Sequence, residues 1–280
     1  MLHRTLSSSV LTALALAACG DNLTVPSRDA FDASGPGPLS CTPNLDGRID
    51  ADEVAPAIGV AVHYLVNPSD QPRAVDLAGS IDGRGRRVWD LATDYASDEV
   101  ATISASSPDG AWWQDAFPDA TFAAPFDLAG RTLGVYRHGD DALWLLGYAS
   151  ADAAPAEGQT LVVYSSPIMA WRFPIVPGDQ WVSASDIRNA TVRGLPYAGR
   201  DTYEVRVAAS GVLELPDLGF DQAMRVTTKV TLEPAAGASV TRRQSSFVFE
   251  CFGEVARAVS ADGEAADDFG SAVELRRLGL

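Results

Sequence analysis

The densest group of oxygen donors lies at residues 42–53, Thr42-Pro43-Asn44-Leu45-Asp46-Gly47-Arg48-Ile49-Asp50-Ala51-Asp52-Glu53. Counting Thr42 as position one, the oxygen donors at calcium-loop positions are Thr42 (one), Asn44 (three), Asp46 (five), Asp50 (nine) and Glu53 (twelve), with Gly47 at six and Ile49 at eight. That spacing suits a hard cation, calcium above all, whose oxygen ligands must converge from one short loop. Gly47 permits the sharp turn, and the carbonyl of Arg48 can supply an oxygen while its charged side chain points away. Glu53 is long enough to reach back with both oxygens. Thr42 offers a hydroxyl where a carboxylate is usual, so the expected affinity is no better than about 10⁻⁴–10⁻³ M. The competing reading is an Asn44-Leu45-Asp46-Gly47 turn running into a helix start, where Asp50, Asp52 and Glu53 favour the helix dipole.

Over these twelve residues the segment resembles the loops of EF-hand and dockerin-like proteins, which implies calcium as ligand. The flanks depart from that pattern. Gly35 to Pro38 cannot form an entering helix, and Pro56 limits the exiting one to a short turn.

Other chemistry is sparse. His63 lies within the apolar run Val60–Val66, which reads as a strand, and His138 precedes Gly139-Asp140-Asp141, which reads as a turn. The chain has no Gly-x-Ser-x-Gly elbow, no His-Glu-x-x-His, no phosphate-cradling glycine loop and no paired-cysteine zinc spacing. Acid pairs such as Asp140-Asp141 and Asp267-Asp268 read as solvated turns. The expectation is a non-catalytic binding or structural protein, with an exported hydrolase built on an unrecognised carboxylate site as the alternative. Trp112-Trp113 follow a Pro108-Asp109-Gly110 turn. Placed on a strand they would point to opposite faces, leaving one indole free to stack on a sugar, peptide or lipid. The competing reading has them covering two sheet faces.

Three cysteines set the covalent frame. Leu6 to Ala18 is an apolar and small-residue run after His3 and Arg4, too short to span a bilayer, and it ends in Leu16-Ala17-Ala18-Cys19. These four residues resemble the lipobox of bacterial lipoproteins. The resemblance implies a signal peptide at 1–18, an acylated Cys19 and a membrane anchor, with Gly20 after the cysteine directing it to the outer membrane. Residues 19–40 then read as a tether, carrying Pro26, Pro36, Pro38, Gly35 and Gly37 without hydrophobic period. With Cys19 acylated, Cys41 and Cys251 remain, and in an exported protein they are expected to form a disulfide.

The elements that must position these groups show a period of two. Tyr203, Val205 and Val207 alternate with Glu204 and Arg206, and Met224, Val226, Thr228 and Val230 with Arg225, Thr227 and Lys229. Leu143–Leu146 and Leu161–Tyr164 are apolar throughout, Ile168–Phe173 is apolar but for Arg172, and all three read as central strands. Ser271 and Glu274 form a capping box before Val273, Leu275 and Leu278, which predicts a short C-terminal helix. The chain should therefore be mostly β, with antiparallel sheets forming a sandwich or curved half-barrel. Residues 41–280 should make one β-rich domain, with two lobes dividing near 150–159 as the variant. The rhythm Phe173-Pro174, Pro177-Gly178, Trp181, Gly211–Pro216 and Gly253-Glu254-Val255 resembles the curved sheets of periplasmic lipoprotein-carrier-like domains over about a hundred residues. That likeness rests on no invariant motif and carries over no binding residue.

The 280 residues hold 21 basic and 37 acidic side chains, a formal charge of −16. Without the leader, which carries only Arg4, 20 basic residues face 37 acidic ones, giving −17. Nucleic-acid binding, which needs clustered cations, is not expected. A protein, glycan or lipid partner is left open.

Overall fold

The structure is a computed structural model that describes residues 41–279; the leader, Cys19 and the expected tether lie outside the described residues. Its strands, in chain order, are β1 (Ala61–Val66), β2 (Arg73–Ala74), β3 (Ser80–Ile81), β4 (Arg87–Asp90), β5 (Glu99–Ser104), β6 (Phe122–Pro125), β7 (Thr132–His138) and β8 (Ala142–Ser150). There follow β9 (Leu161–Arg172), β10 (Gln180–Val192), β11 (Leu195–Glu214), β12 (Gly219–Pro234), β13 (Val240–Phe249), β14 (Gly253–Val259), β15 (Ser271–Ala272) and β16 (Glu274–Leu278). Helical structure among the described residues is confined to two 3-10 turns, Asp52–Val54 and Gln114–Ala116.

The main sheet is antiparallel along the order β5-β1-β16-β14-β13-β12-β11-β10-β9-β8-β7-β6. Its outermost strands approach each other through the Ser106–Ala123 bridge, bonded in both directions at 2.8 and 2.9 Å, so the sheet curls nearly shut as a half-barrel. Residues 151–160 connect β8 to β9, which are neighbours in this one sheet. The expected strands 161–164 and 168–173 are one element, because β9 runs unbroken from Leu161 to Arg172.

Alternation sorts the two faces. Met224, Val226, Val205, Val207 and Val248 turn inward and pack with Ile49, Phe122, Leu143, Phe173 and Ile175. On the outer face, Phe247, Ala256, Ala258 and Leu213 lie under Leu77, Trp89 and Leu91. The covering strand β4 pairs in parallel with the end of β11, placing Trp89 opposite Leu213. Trp89 is fully buried, meets Phe247 edge-on at 5.1 Å, and donates its indole N–H to the Leu77 carbonyl at 3.0 Å.

The C-terminal helix does not form. Residues 271–272 and 274–278 are strands, with β16 inserted between β1 and β14 and hydrogen-bonded to both. A segment this short gains little from helix propensity alone, whereas pairing with β1 and β14 gives its backbone partners on two sides. Glu274 does not cap; it pairs with Arg276 at 2.9 Å. The main-chain N–H of Leu275 is held instead by Asn67 Oδ1 at 2.6 Å.

Two substitutions test the outer clamp. Trp89→Ala should cost about 3–5 kcal/mol by loss of a large buried side chain. Gly211→Ala should also destabilise, because a Cβ there would stand 2.5 Å from the Arg87 carbonyl oxygen and 2.9 Å from the Trp89 ring. Urea unfolding measures both; wild-type midpoints would show that β4 is not part of the cooperative unit.

Candidate functional site

Cys41 and Cys251 are joined by a disulfide with Cα atoms 5.5 Å apart. It staples the start of the described chain to the β13–β14 turn and closes a span of 210 residues. In the chain-entropy picture such a loop restrains the unfolded chain by about 5 kcal/mol. From this staple the chain runs along one end of the half-barrel. Ile49, fully buried, forms a two-way bridge with Ile175 in the β9–β10 connection, at 3.1 and 2.8 Å.

Between Cys41 and Ile49 the donors expected to face a cation hold the chain itself. Leu45 and Gly47 take positive φ, 55° and 87°, so the turn at position six is present. The carboxamide Oδ1 of Asn44 accepts the Asp46 N–H at 2.8 Å, and Asp46 accepts the Arg48 N–H at 3.1 Å. Arg48 turns back to grip Asp50 at 2.5–3.1 Å, and that pair is solvent-exposed. Glu53 is buried: Oε1 accepts Asn44 Nδ2 at 2.6 Å and Oε2 accepts the Asp50 N–H at 2.9 Å. Thr42 is exposed. Among the described residues no three acidic, His or Cys side chains converge as a ready metal cage. Asp52 to Val54 make a single 3-10 turn, so the acidic helix start of the competing reading is shortened to that turn.

Glu250 completes the arrangement and was not singled out from sequence. It is 3% exposed, and its Oε2 accepts the N–H groups of both Asn44 (2.6 Å) and Leu45 (2.9 Å). Its place beside Cys251 is the signal that could have found it, since the disulfide brings residue 250 to residue 44. Two buried carboxylates thus share Asn44, and neither Glu53 nor Glu250 has an ion-pair partner among the described residues. Burial raises the Glu53 pKa, and the nearby charges of Glu250, Asp50 and Asp46 add to it, against the pull of the Asp50 N–H. Burying unpaired charge is costly, which is the cause of the Glu53 shift.

The tryptophans are not on a strand. The Pro108–Gly110 turn continues into the 3-10 turn at Gln114, with Ala111 N–H on the Pro108 carbonyl and Gln114 N–H on the Ala111 carbonyl. Trp113, 2% exposed, packs edge-on against Phe117 in a cluster with Ala123, Val135, Leu146 and Ala149. Trp112 is half-buried against the same cluster and donates its indole N–H to the Ser150 carbonyl at 2.9 Å. Successive turns, unlike a pleated strand, let adjacent side chains share one hydrophobic cluster.

The histidines are apart from each other. His63 is exposed on β1, its Nδ1 3.1 Å from Thr102 Oγ1. His138 ends β7 against Phe173, and its Nε2 is buried without a partner. Burial lowers its pKa, opposed by the Ala51 backbone and Asp140. A further polar group lies in the sheet: Asp201, 1% exposed, accepts the Tyr164 hydroxyl at 2.7 Å, and its other oxygen is unpaired. Burial raises the pKa of both residues.

Glu250→Ala should cost about 2 kcal/mol by stranding two N–H groups, and should speed amide exchange at Asn44 and Leu45 selectively. Exchange unchanged at those two amides would remove Glu250 from the arrangement. Trp113→Ala should cost about 3–5 kcal/mol as a core truncation, measured by denaturant unfolding; a fully stable variant would return Trp113 to the role of a dispensable surface ring.

In comparisons with known proteins, the chain matches no family model, no curated protein and no solved structure, so its site rests on its own residues.

Proposed function

We propose that the chain is a non-catalytic lipoprotein of the cell envelope, anchored at the outer membrane through acylated Cys19, with a binding or structural role. The observation that carries the non-catalytic reading is the use made of the two buried carboxylates. All three bonded oxygens of Glu53 and Glu250 are taken up by main-chain N–H groups and the Asn44 amide of the same short segment. Groups so engaged hold a fold in register; they are not free to move a proton to a substrate. The lipobox supports the address, and the disulfide fits an exported chain.

Calcium is the proposed stabiliser of this end. The residues offer only hard oxygens, and two of the carboxylates are buried without a cation beside them. Asp46, Asp50, Glu53 and the Asn44 carboxamide would hold the ion after Asp50 leaves Arg48. The ion would supply the positive charge that the buried pair lacks. Arg48 competes for Asp50, which keeps the affinity in the range of extracellular modules, about 10⁻⁴–10⁻³ M.

Two measurements follow. At neutral pH, millimolar calcium should raise the melting temperature, and Asp46→Ala with Glu53→Gln should abolish the rise; a curve indifferent to calcium and chelator would leave a hydrogen-bonded turn. The second reads the proton. Glu53 has a folded pKa raised above its unfolded value. Its stabilising contribution is therefore fully present below the ordinary carboxylate range and is lost as pH rises through the raised value. Acidifying from pH 7 to about 4.5 should shift the melting-temperature difference between wild type and Glu53→Gln in favour of wild type. A shift toward the variant would mean that the fold prefers the charged carboxylate.

A further inference from the structure

The end of the barrel that carries Cys41 also carries a set of exposed apolar side chains. Leu45 is 40% exposed, and its N–H is bonded to Glu250, next to the disulfide. Phe252, 55% exposed, follows Cys251 in the β13–β14 turn and touches Phe220 and Phe249 only edge-on or tilted, at 5.6 and 5.9 Å. Ile58 and Val60, 47% and 54% exposed, precede β1. The register brings them to the same level. Leu65 pairs with Arg277, and Arg277 with Ala256. Both β1 and β14 run antiparallel to β16, so five residues back along each leads to Val60 and to Cys251. Four large exposed apolar groups therefore lie at the level of the end at which the described chain begins.

We propose that this end rests on a lipid bilayer, with Leu45 and Phe252 as the side chains that enter its interfacial layer. The inference rests on the anchored-lipoprotein reading, because the anchor is what selects the bilayer over any other occupant. Cys19 and Cys41 are 22 positions apart. A random coil of that many residues averages about 26 Å end to end, so an acylated Cys19 would hold the membrane close to Cys41. The far end of the barrel, at the β10–β11 turn, lies a further 40 Å or so away along the thirteen residues of β10. An apolar tip tied this near to lipid adds a second attachment to the acyl anchor, and two weak attachments hold far better than either alone. The same end exposes Asp46, Asp52, Asp140 and Asp141, so the surface that fits is zwitterionic rather than anionic.

The test uses the full acylated protein reconstituted in phosphatidylcholine vesicles whose acyl chains are brominated near the headgroup. Phe252→Trp, Leu45→Trp and, at the far turn, Leu195→Trp each add one indole, read as the emission difference from wild type. Leu195 is 69% exposed, so its indole reports the opposite end. Bromolipid should quench roughly half or more of the emission added at 252 and 45 while leaving that at 195 nearly unchanged. Equal quenching at all three positions, in protein whose Cys19 peptide carries its acyl chains by mass spectrometry, would overturn the docking and leave the anchor standing. A Cys19 peptide without acyl chains would overturn the anchor; quenching confined to 252 and 45 in that protein would keep the docking alone. Stronger quenching on vesicles rich in phosphatidylglycerol would overturn the choice of a neutral surface. Unchanged melting temperatures of the three variants establish that the probes report on intact folds.

Discussion

The structure depends on where β16 lies. The five residues of β16 insert between β1 and β14, and their backbone bonds join the β1–β5 pair to the rest of the sheet. Without that insertion β1 and β5 have no partner on one side, and the near-closure at Ser106 and Ala123 has nothing to close against. Asn67 ties the junction: its side chain accepts from Leu275 and donates to carbonyls of Pro68, Gln71 and Val273. The alternation of β16 then commits two adjacent arginines to opposite faces. Arg276 pairs with Glu274 on one side, and Arg277, fully buried, reaches Asp98 and the Leu91 and Thr93 carbonyls on the other. Each buried guanidinium is bonded to a carboxylate, which is what makes its burial tolerable.

The same logic of exact pairing fails at the Cys41 end, and that contrast gives the end its chemistry. Glu53 and Glu250 are buried among donors that are neutral: three main-chain N–H groups and a carboxamide. Hydrogen bonds hold the segment in place but leave the net negative charge uncompensated. A seal made this way lacks the cationic partners that the arginine-paired interior has.

Much of the sheet was legible because β strands write their period directly into the residues: β11 follows the alternation at 203–207, and β12 is a strand over 224–230 although Arg225, on its expected wet face, is buried. The disulfide was legible by parity, once Cys19 was set aside. The tail was misread because a capping box is a local signal, and local preference over six residues yields to strand pairing made by residues some 200 positions away. The tryptophan pair was misread for a related reason, since nothing in Gly110-Ala111-Trp112-Trp113 tells a strand from consecutive turns. Glu250 could not be seen as a partner of Asn44 by any pattern along the chain. Only the covalent link at the next residue makes them neighbours.

The place of β16 between β1 and β14 also governs how this chain can reach its fold. A sheet in which β5 and β1 are joined to the other strands through residues 274–278 cannot be completed by any partial chain that stops short of them. Hairpins such as β11–β12 or β7–β8 can form early from local pairing, but they would present open edges until the closing strand arrives. Such an intermediate is prone to pair with its own copies. A protein wired in this order benefits from being kept extended until all of it has been delivered, and only then allowed to collapse.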